Sequence, residues 1–103
     1  MSKKVEEEII KSTRYCNLLR QASLKDEDYT YCIEKIFVKS MNRYEIRFAV
    51  YKDTVRGDDI YVPRSLDVTE LELMELIKKS IKEKVFSDDF IDMLKQELKK
   101  INK

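Results

Sequence analysis

"YTYCIEKIFVKSMNRYEIRFAVYKD", residues 29–53, is the stretch on which the fold turns. It is dense in Tyr, Ile, Phe and Val, side chains that lose rotamer freedom in a helix and pack well on a pleated surface, so it predicts a β-hairpin. The turn is expected near Met41 and Asn42. After it the alternation is clean, with Tyr44, Ile46, Phe48 and Val50 on one side and Arg43, Glu45, Arg47, Ala49 and Tyr51 on the other. The first set is expected to face the core. Before the turn, Ile33 and Phe37 fall in one phase and Ile36 and Val38 in the other, a conflict that a bulge near Glu34 and Lys35 would reconcile.

Beyond the hairpin, residues 50–67 hold the only glycine, Gly57, and the only proline, Pro63. Glycine suits a turn and proline the end of an edge strand, which frames a third strand at 59–62 with Ile60 and Val62 inward and Tyr61 outward. Arg56-Gly57-Asp58 reads as turn chemistry, since an adhesion triplet would matter only on a secreted protein. Residues 65–85 then predict a helix, with Asp67 as N-cap, Glu70 three residues on and Leu66 stapled to Leu71. Leu71, Met74, Ile77, Ile81 and Val85, with Leu73 beside them, form its expected buried face. A further helix starts at Ser87, with Phe86 and Ile91 as a staple, and carries Phe90, Ile91, Leu94, Leu98 and Ile101 as an apolar stripe.

On the other side of the hairpin, Val5, Ile9, Cys16 and Leu19 lie within one narrow arc at 100° per residue, which predicts an amphipathic helix from Ser2 to about Ala22. Residues 23–29 carry charge without periodicity and read as a loop. The expected fold is therefore α+β in the order α-β-β-β-α-α, one domain over residues 1–103 with a three-stranded antiparallel meander packed against helices. That order resembles the double-stranded RNA-binding domain. The resemblance covers the order of elements alone, because "DVTELELME" (67–75) sets Glu70, Glu72 and Glu75 where that family places lysines against phosphate.

Composition narrows the chemistry. Twenty-one basic and 20 acidic residues leave a net charge of +1, so no global field draws the chain to nucleic acid or an anionic membrane. Histidine is absent, removing the usual catalytic base and the commonest metal ligand. A single glycine excludes a phosphate loop and a dinucleotide fingerprint, both of which need several. Asp58-Asp59, and Asp88-Asp89 with Asp92, are the remaining divalent-metal candidates, and neither has the spacing of a calcium loop. The chain is thus expected to be no enzyme, with no catalytic residue, metal or cofactor; a carboxylate-only hydrolase built on Asp58, Asp59 and a metal is the alternative. Cys16 and Cys32 lack metal or redox spacing and are expected as buried, reduced thiols. Neither a secretory leader nor a membrane-length apolar run is evident, so a soluble, cytoplasmic protein is expected.

The candidate contact surface is the sheet face opposite Tyr44 and Ile46. It would present Arg43, Arg47, Tyr51 and Tyr61, residue types enriched in binding hot spots. The expected function is a small non-enzymatic interaction or regulatory protein that binds itself, as a homodimer or other homo-oligomer, or another protein, through a sheet face or a helix. The alternative is a nucleic-acid-binding module using Lys39, Arg43 and Arg47 with Lys95 and Lys99 of the last helix.

Overall fold

A computed structural model describes residues 8–54, 57–63 and 65–101; Arg56 and the side chains of Asp58 and Asp59 lie outside the described residues, and so do the readings placed on them. Five strands come first: β1 (Lys11–Ser12), β2 (Cys16–Asp26), β3 (Tyr29–Val38), β4 (Arg43–Thr54) and β5 (Gly57–Val62). Two helices follow, α1 (Glu70–Lys82) and α2 (Asp88–Lys99). The strands form one curled antiparallel meander in sequence order, each paired with the next.

This order, β-β-β-β-β-α-α, corrects the expected α-β-β-β-α-α and the expected three strands. From Lys11 onward the predicted first helix is β-structure, and the predicted loop at 23–29 is the end of β2, a two-residue turn and the start of β3. Four apolar positions fit a helical arc, but Ser12, Thr13, Tyr15, Cys16 and Asn17 are weak helix formers, and pairing with β3 buries Leu18 and Ala22 and half-buries Leu24, which the arc left out.

The register conflict in β3 resolves differently from the expectation. Pairing with β4 is unbroken from Tyr29↔Lys52 to Val38↔Arg43, and the irregularity lies in β2, between Leu18 and Arg20. As the central strand, β3 is buried on both faces. Tyr31 and Ile33 face the helices, while Cys32, Glu34 and Ile36 face the other way. Both phases are therefore interior, and no bulge is needed near Glu34.

On the helical side the core is Ala22, Tyr31, Ile33 and Val50 under Leu76 and Val85. Helix α1 is capped by Thr69 instead of Asp67: its side chain accepts from the Glu72 amide, and the Glu72 carboxylate accepts from the Thr69 amide. It buries only Leu76 and Ser80, and the Ser80 hydroxyl is satisfied by the Leu76 carbonyl at 2.7 Å. Of the expected buried face, Leu71, at 82% exposed, Met74 and Ile81 are turned outward, while Leu73 and Ile77 are half-buried. The helix ends with Lys84 at φ 62°, where the Val85 amide donates to the Ser80 carbonyl and the Lys84 amide to that of Ile81. That reversal drops Val85 into the core. Helix α1 lies mainly over β2 and β3, and Val50 is the residue of β4 that joins the core beneath it. In consequence Val50 is buried, whereas Tyr44, Ile46 and Phe48, expected in the core, are about half exposed. Helix α2 begins at Ser87 as the sequence indicates and buries no residue.

Candidate functional site

Two surfaces stand out. The first is the concave side of the sheet. At a strand spacing of about 4.8 Å, a flat meander would set β1 and β5 about 19 Å apart. Here Lys11 of β1 and Tyr61 of β5 line a single cavity of about 480 Å³, so the sheet wraps around it. A second cavity of about 340 Å³ adjoins it and shares Lys11, Leu18 and Tyr51.

Behind the lining residues Arg47, Tyr51 and Gln21 sits Glu34, with no exposed surface. Its carboxylate accepts hydrogen bonds from Gln21 Nε2 at 2.7 Å, Arg47 Nε at 2.9 Å and the Tyr51 hydroxyl at 2.8 Å. Three donors from the two flanking strands, β2 and β4, meet the demand of a buried anion. Burial alone works against the Arg47 charge, but the hydrogen bond it donates to Glu34 and the attraction of that carboxylate outweigh it and raise the guanidinium pKa. Burial, then the hydrogen bond to Glu34 and its charge, hold the Tyr51 phenol well above its ordinary value. Arg47 Nη1 also reaches the Cys16 sulfur at 3.6 Å, and its guanidinium lies 5.9 Å from the centre of the Tyr61 ring, which packs edge-on against Tyr51.

Three of the four residues expected to form a contact surface, Arg47, Tyr51 and Tyr61, are therefore brought together, around a carboxylate that sequence reasoning treated as part of a bulge. Arg43 stands apart, paired with Glu45 at 2.8 Å. The signal for Glu34 was available: once the hairpin turn is set, Glu34 lies directly opposite Arg47. Of the cations assigned to nucleic acid, Lys39 donates to the Thr13 carbonyl at 2.6 Å and to Ser12, while Arg43 and Arg47 hold carboxylates. Lys95 and Lys99 are exposed on α2. Cys16 and Cys32 are buried and not joined in a disulfide.

The second surface is the apolar side of the helical layer. Along α2 and just past its end, Ile91, Leu94, Leu98 and Ile101 recur at spacings of three, four and three, the spacing of a coiled-coil seam. Met93, Leu98 and Ile101 are each about 60% exposed, and Leu71, Met74 and Ile81 add an outward stripe on α1. Phe86 and Phe90, with ring centres 5.1 Å apart, join Tyr44 and Ile46 in lining a groove of about 370 Å³ between the start of α2 and β4. The radius of gyration, 15.7 Å, exceeds the roughly 13 Å of a compact domain this long, as an uncovered helix requires.

Among the described residues, no three acidic or cysteine side chains converge as a metal site, and no helix is long and apolar enough to cross a membrane. Comparison with protein-family models, with curated proteins and with solved structures gives no significant match.

Proposed function

We propose that this chain is a non-enzymatic binding protein that works as an assembly of its own copies, joined through the helical layer. One observation carries the reading: α2 is an amphipathic helix with a heptad-spaced apolar stripe and no buried residue. A lone helix of this length is marginal in water and gains its stability from a packed apolar face. A contiguous apolar surface of this kind is characteristic of interfaces.

The occupant is a second copy because α2 is complementary to itself. Its first half carries Asp88, Asp89 and Asp92 and no base; its second half carries Lys95 and Lys99, with Lys100 at the C-cap, against the one acid Glu97, which pairs with Lys100. Antiparallel pairing of two such helices sets acidic halves beside basic halves and apolar stripe against apolar stripe, the self-complementary contact of a two-fold dimer. The expected contact moves accordingly from the Arg and Tyr face to the helix. The reading keeps the cytoplasmic location, which two buried thiols outside any disulfide support.

Light scattering across protein concentration and ionic strength tests it. A dimer that persists in high salt is expected, and Leu98→Asp should leave a monomer with an unchanged circular dichroism spectrum. A strict monomer at all concentrations overturns the reading. Should that monomer bind oligonucleotides with a steep salt slope that flattens in Lys95→Gln/Lys99→Gln, the nucleic-acid alternative takes its place.

A further inference from the structure

We infer that the concave face is a binding site for a small aromatic monoanion, a planar ring bearing one carboxylate. This site is separate from the helical surface and stands or falls without it.

The size fits. A cavity of about 480 Å³ lies within the range of small-molecule sites, and its walls combine apolar surface with a few polar groups from different strands, the usual make-up of such sites.

The charge specifies the ligand's sign. Lys11 and Arg47 bring two positive charges to the cavity, and Glu34 beneath it brings one negative, leaving one positive charge for an occupant to balance. Arg47 is also presented in a fixed position. Glu34 takes its Nε and Cys16 sits at its Nη1, while the rest of the side chain, 32% exposed, lines the cavity. A guanidinium held from behind by a buried carboxylate loses little freedom on meeting a second carboxylate, the preorganisation that turns a surface charge into a binding group. It also supplies a reason for Glu34 itself. A buried ion pair is weak as a source of stability and can often be replaced by apolar side chains without loss, so its use here points to positioning.

The rings specify the ligand's body. Tyr15, Tyr51 and Tyr61 line the cavity with Leu18; Tyr61 is half exposed, and its ring is braced by Tyr51 on one side and Arg47 on the other. Tyrosine faces contact a planar aromatic ligand over large area at little entropic cost. The tyrosine faces alone would also accept a cation, but Lys11 and Arg47 repel one, and a single surplus positive charge leaves the further charges of a polyanion unbalanced.

Titration calorimetry with three probes of one shape tests the inference: 1-naphthoate, neutral 1-naphthylmethanol and cationic 1-naphthylmethylamine. One saturable naphthoate site per chain is expected, at least tenfold tighter than for either other probe. Lys11→Gln and Tyr61→Leu change exposed side chains and should fold normally; each is expected to weaken naphthoate by about three- to tenfold. Leu98→Asp, on α2, should leave it unchanged. Equal affinity for all three probes, no naphthoate binding at millimolar concentration, or binding lost in Leu98→Asp yet kept in Lys11→Gln and Tyr61→Leu would each overturn the assignment.

Discussion

Tyr51 of β4 donates its hydroxyl to Glu34 of β3 at 2.8 Å, and the carboxylate it reaches has no exposed surface. Removing that donor by Tyr51→Phe leaves the anion with Gln21 and Arg47 alone, an expected loss of about 1–2 kcal/mol in urea unfolding at neutral pH.

Burial of Tyr51, together with the same contact, makes stability sensitive to alkali. The Tyr51 pKa is raised in the folded state, so its contribution is complete below the ordinary tyrosine value of 10.0 and is lost as pH rises from there through the folded value. Above pH 10 the unfolded phenol ionises first, at a cost of about 1.4 kcal/mol per pH unit. The stability gap between the natural chain and Tyr51→Phe should therefore narrow between pH 9 and pH 11. A gap that stays constant would mean that Tyr51 is not held by Glu34.

Two arginines on one strand face should behave differently. Arg47→Ala leaves a fully buried carboxylate short of its charge partner, and since Arg47 is itself one third exposed the expected loss is about 2 kcal/mol, below the full value for a buried pair. Arg43→Ala breaks an exposed pair with Glu45 and should cost less than about 1 kcal/mol. Denaturant midpoints of the two variants decide the comparison.

The rotation of α1 is open to a direct check. Leu76→Ala empties a fully buried position and should cost about 3 kcal/mol, whereas Leu71→Ala, at a position 82% exposed, should leave unfolding of the monomer within about 0.5 kcal/mol of the natural chain. The reverse ranking would restore the buried face expected from sequence.

Lys84 occupies the left-handed position that closes α1, at φ 62°. Lys84→Gly removes the steric penalty of a side chain there and keeps the two closing hydrogen bonds, so it should raise stability by about 1 kcal/mol. A loss of stability would show that Lys84 makes contacts worth more than the strain.

What the sequence determined by itself was what neighbours along the chain control. The β3–β4 hairpin with its turn near Met41 and Asn42, the start of α2 at Ser87 and the existence of α1 all rest on local propensity, on turn residues and on side chains capping amides within three residues. Only the tertiary structure decided the rest. Cys16–Asp26 is a strand because β3 lies beside it; its apolar spacing alone is compatible with a helix. Leu71 faces solvent because α1 rests on β2 and β3 by way of Leu76, and an apolar stripe carries no mark of which part of it will be covered. Arg47, Tyr51 and Tyr61 share a sheet face that sequence could identify, and strand register sets Glu34 between Gln21 and Arg47, but their meeting with Lys11 from the far edge depends on the curl of the sheet. Curl sums small twists over five strands, and no short stretch of residues encodes that sum.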